Sequence, residues 1–150
     1  MNWTGCAIAV PVVTQSDLAD AYDIVVIGSG FGALFFVHRA LQRQEDLRII
    51  VLEWGVLRDH AWQIANERNS DIDPRSTFRA SDEKVWNFTI GYGGGTNCWY
   101  AQAPRMHPSD FRTRTLYGVG DDWPLDYGEL EPFYCDAEEI MAVSGPDDMA

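Results

Sequence analysis

Positive charge is what this chain has least of. Eleven Lys and Arg stand against 23 Asp and Glu in 150 residues, a formal net charge of −12. Phosphate backbones are held by basic patches, so nucleic acid is excluded as a partner. From Asp121 to Ala150 there is no Lys or Arg at all. That stretch reads as a solvated helix face, and the overall acidity as a solvated surface, the alternative being an acidic face for a basic redox partner. Cysteine is scarce as well. Cys6, Cys98 and Cys135 are odd in number, far apart and never C-x-x-C, so neither a disulfide framework nor a zinc site is expected. His38, His60 and His107 lack metal-ligand spacing and are expected on the surface or in packing. No apolar run is long enough to span a bilayer. The N-terminus has neither a basic region nor a clear apolar core, so no signal peptide is expected; the location is left open, with the cytoplasm as the expectation from that absence alone. Repeats and low-complexity segments are missing too.

What is present is concentrated between Tyr22 and Gly55, YDIVVIGSGFGALFFVHRALQRQEDLRIIVLEWG. Ile24 to Ile27 is apolar and β-branched, as in a parallel strand covered on both faces. Gly28 allows a sharp turn out of it, and Gly30 lets a pyrophosphate approach the backbone. Ser29 and Phe31 are the intervening positions of the same turn. The third small position of G-x-G-x-x-G/A falls on Ala33, where close helix–strand packing is still allowed. A helix is expected from Gly30 or Phe31 to about Gln42, with Leu34, Val37, His38 and Leu41 on its buried face. Its positive end then faces the pyrophosphate. Ile49 to Leu52 is a second strand. Glu53 closes it, about twenty residues past Ala33, where a carboxylate accepts from the two ribose hydroxyls of an adenosine and repels a 2′-phosphate. The unit is a dinucleotide-binding βαβ fold, and by itself it does not separate FAD from NAD.

Met1 to Ala21 is expected to be a flexible lead-in. Leu57 to Lys84 reads as a short helix near Asp59 to Glu67 followed by a loop, and loops of that length often cover a cofactor. Val85 to Ile90 has strand composition. Gly91-Tyr92-Gly93-Gly94-Gly95-Thr96-Asn97-Cys98 offers bare backbone and short polar side chains, able to lie against a flat ligand. An ordinary flexible turn is the alternative. Ser109 or Asp110 is expected to cap a turn in APRMHPSDFRTR, and Leu116 to Asp122 looks aperiodic. Asp126 with Glu129 forms a capping box. Leu130, Phe133, Tyr134, Ala137 and Met141 follow it at helical spacing, and Gly145-Pro146 is expected to stop that helix.

Four stretches in order, DIVVIGSGFGA with LEWG, GYGGGTNCW, PRMHPSDFR and DWPLDYGELEPFYCDAEEIMAVSG, resemble the glucose–methanol–choline (GMC) family of FAD-dependent oxidoreductases, in its gluconate-dehydrogenase-like branch. The resemblance runs from about Tyr22 to Gly145. It implies FAD as cofactor and oxidation of a CH–OH group of an alcohol or sugar, a base taking the hydroxyl proton while hydride passes to flavin N5. Carried onto this sequence, Gly28, Gly30 and Glu53 hold the ADP half, and Gly93, Gly94, Gly95, Thr96 and Asn97 lie along the flavin. Cys98 falls where some members carry a histidine bonded to the flavin. A histidyl link is thereby excluded there, leaving a thioether link or a small thiol packed beside the ring. A cytochrome or a quinone is the electron acceptor the branch implies, with the cell envelope as the alternative location.

The family's catalytic histidine and its substrate domain come from later sequence, and none of the three histidines here matches the catalytic position. The expectation is therefore an α/β chain, with residues 22–150 forming the N-terminal part of an FAD-binding domain. It would be a partial Rossmann βαβ unit with a loop and helical extension, its doubly wound sheet incomplete. No catalytic residue and no metal ligand is assigned, and the isolated chain is expected not to turn over substrate. Two other readings stay open. One is a non-catalytic nucleotide-binding or interaction module, and the other is an NAD-dependent dehydrogenase.

Overall fold

The computed structural model describes residues 12–79 and 88–145. Strand β1 (Ile24–Ile27) and strand β2 (Ile49–Leu52) pair in parallel, Ile24 opposite Ile49 and Ile27 opposite Leu52. Helix α1 (Phe31–Arg43) connects them. This is the βαβ unit expected from the sequence, and the helix ends one residue beyond Gln42. Its register is fixed from both ends. At the entry, Asp23 Oδ2 accepts from Arg48 N at 2.8 Å and from Arg48 Nε at 3.4 Å. At the exit, Gly28 N donates to Leu52 O at 2.7 Å. The Arg48 donors, its backbone N–H first, hold the Asp23 carboxyl below its usual value.

Along α1, Val37, His38 and Leu41 are half-buried as expected, whereas Leu34 is exposed and Phe35 is half-buried. Helix α2 (His60–Asn66) has Asp59 as N-cap, its carboxylate accepting from Trp62 N, and Glu67 in the left-handed conformation at its end. Those are the bounds read from the sequence. The Arg58 and Arg68 guanidinium groups lie 4.7 and 5.5 Å from the Trp62 ring centre. Asp71 pairs with both, at 2.7 and 3.9 Å, so the loop after α2 is tied to the helix by charge and ring.

Of the expected strand Val85–Ile90, residues 85–87 lie outside the described residues, and Phe88 to Ile90 form no strand. The observed sheet among the described residues has two strands. From Met1 to Ala21, residues 12–21 are described and include a 3-10 turn at Gln15–Asp17 with Thr14 as its cap.

The chain divides into two compact units, Met1–Gly94 and Gly95–Ala150. In the second, a 3-10 turn at Pro108–Arg112 runs into helix α3 (Thr113–Tyr117), which ends on Gly118 at φ 71°. Helix α3 was not foreseen. The cap of the preceding turn is His107, not Ser109 or Asp110. Its ring nitrogen accepts from Ser109 N, while Asp110 reaches back to the His107 N–H at 2.7 Å. Phe111 is fully buried. Trp123 and Tyr127 meet its ring edge-on, with centres 5.7 and 6.4 Å away.

Helix α4 (Tyr127–Met141) begins at Asp126 with the expected Glu129 capping box and ends on Ala142 in the left-handed conformation, before Gly145 is reached. Its half-buried positions are Tyr127, Leu130, Glu131, Tyr134, Ala137, Glu138 and Met141. Phe133, expected among them, is 58% exposed. Arg105 engages the half-buried face of the helix. Its guanidinium forks onto Glu138 with two bonds of 2.7 Å, and it also reaches Tyr127 Oη at 3.1 Å and Glu131 at 3.4 Å. Two acids, Glu131 and Glu138, thus lie on the half-buried stripe of α4, and part of the C-terminal negative charge is neutralised internally instead of being wholly solvated. Those hydrogen bonds hold the Glu138 carboxyl below its ordinary value and raise the Arg105 guanidinium.

Candidate functional site

Strand β1 delivers its C-terminal end to a turn that only glycine enters without strain. Gly28 stands at φ +87° with open space where a Cβ would project. Gly30 then caps α1 from an extended conformation. Phe31 and Ala33 lie in the first turn of that helix, both half-buried. Backbone N–H groups in a helix's first turn point along the axis, and the dipole favours an anion there.

Ser29, between the two glycines, is 1% exposed. Its side chain therefore faces the protein. The hydroxyl donates to Glu53 Oε2 at 2.6 Å, and the Ser29 N–H donates to the same oxygen at 3.0 Å. Glu53 Oε1 accepts from Gly55 N at 3.2 Å. The Ser29 hydroxyl in turn accepts from Gly93 N at 2.9 Å. One hydroxyl thus joins the turn after β1, the acid after β2 and the second glycine loop.

The two glycine loops also meet backbone to backbone. A Cβ on Gly94, at φ +51°, would stand 3.5 Å from Gly30 Cα, and one on Gly30 would stand 3.9 Å from Gly93 O. Gly55 is more tightly enclosed, its would-be Cβ falling 2.6 Å from Gly91 Cα and 2.7 Å from Gly91 N, with Ile90 O closer still. Ser70 Oγ donates to Ile90 O and accepts from Ile72 N at 3.0 Å, while Tyr92 N donates to Val56 O at 3.4 Å. Gly91 and Gly93 are buried. From Gly91 to Gly94 the loop is packed against the first glycine turn and Gly55.

Of the residues singled out in the sequence, Gly28, Ser29, Gly30, Glu53, Gly93 and Gly94 come together, at the mouth of α1. Gly95, Thr96, Asn97 and Cys98 open the second unit. There Gly94–Asn97 is a 3-10 turn, Cys98 N donates to Gly95 O at 3.2 Å, and the Cys98 thiol lies 3.7 Å from the same oxygen. Gly55, Ser70 and Gly91 carry the junction and were not assigned roles from sequence. The LEWG and GYGGG stretches held a trace of Gly55 and Gly91, and nothing in the sequence pointed to Ser70. Among the described residues no cluster of His, Cys, Asp or Glu could hold a metal ion. No helix there is long and apolar enough to cross a membrane.

The residues present fit a dinucleotide. Open space beside Gly28, an extended backbone at Gly30, a helix start and a carboxylate at the neighbouring strand end are the features an ADP half requires.

No family model matches the chain. Among curated proteins it is similar to the fructose dehydrogenase large subunit of Gluconobacter japonicus, 30% identical over 83% of this chain and 28% of that protein. It is also similar to 2-methyl-1,2-propanediol dehydrogenase of Mycolicibacterium austroafricanum, 32% identical over 85% of this chain and 25% of that protein. The chain spans about a quarter of the length of these relatives. Both are named as dehydrogenases, and the similarity, extending over most of the chain, supports the GMC-like resemblance carried by its motifs.

Proposed function

We propose that the chain, whose GMC-like resemblance is supported over most of its length by relatives named as dehydrogenases, is the FAD-holding part of an enzyme that oxidises a CH–OH group. The observation that carries this reading is the junction of the two glycine loops through Ser29. A βαβ unit alone would suit NAD equally well. A second glycine loop seated against the first at Gly30 gives a longer run of bare backbone, which suits a ligand with a flat ring system beyond its pyrophosphate.

In this proposal the first turn of α1 binds the pyrophosphate through backbone N–H groups and the helix dipole. Glu53 accepts from the adenosine ribose, and its charge rejects a 2′-phosphate. Gly93 and Gly94, with Gly95, Thr96 and Asn97 following, orient the ring end, and Cys98 is a small thiol beside it. Bound flavin would supply a two-electron acceptor for the hydride of an alcohol or sugar. None of the three histidines is assigned as proton acceptor for the substrate: His38 is engaged with Gln42 at 2.9 Å, His60 opens helix α2, and His107 caps a turn. The chain alone is therefore expected to bind cofactor without turning over substrate. The substrate class and an electron-accepting partner, a cytochrome or quinone, belong to the longer enzyme, and the first relative's name as a large subunit favours a protein partner.

The test is equilibrium dialysis of the 150-residue chain against FAD, ADP, NAD and NADP. FAD is expected to bind most tightly. Glu53→Ala is expected to weaken it about 10- to 100-fold, the worth of one charged hydrogen bond of about 1.5–3 kcal/mol. NAD binding as tight as FAD, or no binding of any of the four, refutes the reading.

A further inference from the structure

We infer that Ser29 is a positioning residue for the nucleotide site. It aims Glu53 at a single ribose hydroxyl and locks the second glycine loop to the first. The inference rests on the dinucleotide reading above and adds to it a division of labour: Glu53 touches the ligand, and Ser29 acts through Glu53 and Gly93.

The placement of Ser29 excludes direct recognition, since at 1% exposure its side chain cannot reach a ligand. A serine hydroxyl has one proton to give and two lone pairs to receive. The proton goes to Glu53 Oε2 at 2.6 Å, the short separation of a charge-assisted bond. A lone pair takes the Gly93 N–H at 2.9 Å. The Ser29 amide adds a second bond to Oε2 at 3.0 Å, and Gly55 N binds Oε1 at 3.2 Å. An ionised carboxylate has about four acceptor sites, and the protein itself fills three of them. One site on Oε1 remains, beside Gly55.

Two consequences follow. The carboxylate is held in one orientation before any ligand arrives, so a ligand does not have to order it. It also accepts from one ribose hydroxyl, and not from the two expected from the fingerprint. Ser29 further makes the position of Glu53 depend on the loop that carries Gly93, so the adenosine end and the ring end of the site are set by one hydroxyl.

Calorimetric titration of the full chain with ADP tests this, using Ser29→Ala, Glu53→Gln and the double variant, each checked for a cooperative thermal transition. Ser29→Ala is expected to weaken ADP about 10-fold. Glu53→Gln is expected to cost about 10- to 100-fold in the wild-type background but only about 2- to 3-fold in Ser29→Ala, because an unaimed carboxylate has little left to lose. Ser29→Cys, similar in volume and a poor hydrogen-bonder, should match Ser29→Ala and carries the same comparison if the alanine variant does not fold. Unchanged or tighter ADP binding by Ser29→Ala overturns the inference, as does an equal cost of Glu53→Gln in both backgrounds. A wild-type chain that binds no ADP overturns the dinucleotide reading itself, a distinguishable failure.

Discussion

Gly55→Ala puts one methyl group where the backbone of Ile90 and Gly91 already stands. The added carbon would lie 2.6 Å from Gly91 Cα and 2.7 Å from Gly91 N, whereas non-bonded carbons settle at about 3.5–4.0 Å. One of the two strands of backbone must retreat by about 1 Å to restore that separation. Neither can do so cheaply. Ile90 O is held by the Ser70 hydroxyl, Tyr92 N by Val56 O, and Gly93 N by the Ser29 hydroxyl. Overpacking in a close-packed site costs about 1–3 kcal/mol, and backbone against backbone belongs at the upper end. A loss of about 3 kcal/mol lowers the melting temperature of a unit this size by about 12–24 °C, at roughly 4–8 °C per kcal/mol. Gly95→Ala is the control, since a Cβ there meets nothing within 4 Å. It should change stability by less than about 0.5 kcal/mol. Thermal unfolding of both variants by circular dichroism decides the matter. A Gly55→Ala chain that melts together with wild type and Gly95→Ala would refute the close approach of Gly55 to Gly91.

Two further outcomes concern the second unit. Phe111→Ala removes its fully buried ring from between Trp123 and Tyr127 and should cost about 3–5 kcal/mol, read as a lower midpoint in urea unfolding. Glu138, whose carboxyl is held below its ordinary value by the Arg105 hydrogen bonds, contributes stability that is fully present above the unfolded glutamate value and is lost as pH falls through the folded one. Melting temperature measured down through the acid range should therefore drop more steeply for wild type than for Glu138→Gln, and parallel curves would show the pair contributes nothing.

The elements that were legible in the sequence are those whose causes are local. The G-x-G turn, the β-branched runs on either side and the 13-residue helix α1 follow from residues a few positions apart. The same is true of α2 between Asp59 and Glu67, and of the Asp126–Glu129 box that starts α4. Where the reading went astray, a distant partner or an unusual cap decided. Phe133, expected on the buried face of α4, is exposed, while Arg105, more than twenty residues away in sequence, engages the acids on that face. His107 displaced Ser109 and Asp110 as cap because an imidazole nitrogen, seldom chosen for the task, sits in the right place. The Ser29 junction spans 24 residues to Glu53 and 64 to Gly93. A neutral hydroxyl at a variable position of a glycine motif leaves no periodic signal of such pairings.

The ties around Gly55 also say which part of the chain can vary in length. Backbone leaves the junction at Val56 and returns at Ile90, with Tyr92 N on Val56 O closing the base. The two ends of that stretch are already fastened together. Lengthening a closed excursion is inexpensive, about 0.6 kcal/mol for each doubling, provided that the Ser70 bond to Ile90 O survives. Insertions and deletions beyond Ser70 therefore leave the glycine junction as it is. Related chains can vary in length there while the glycine junction stays the same.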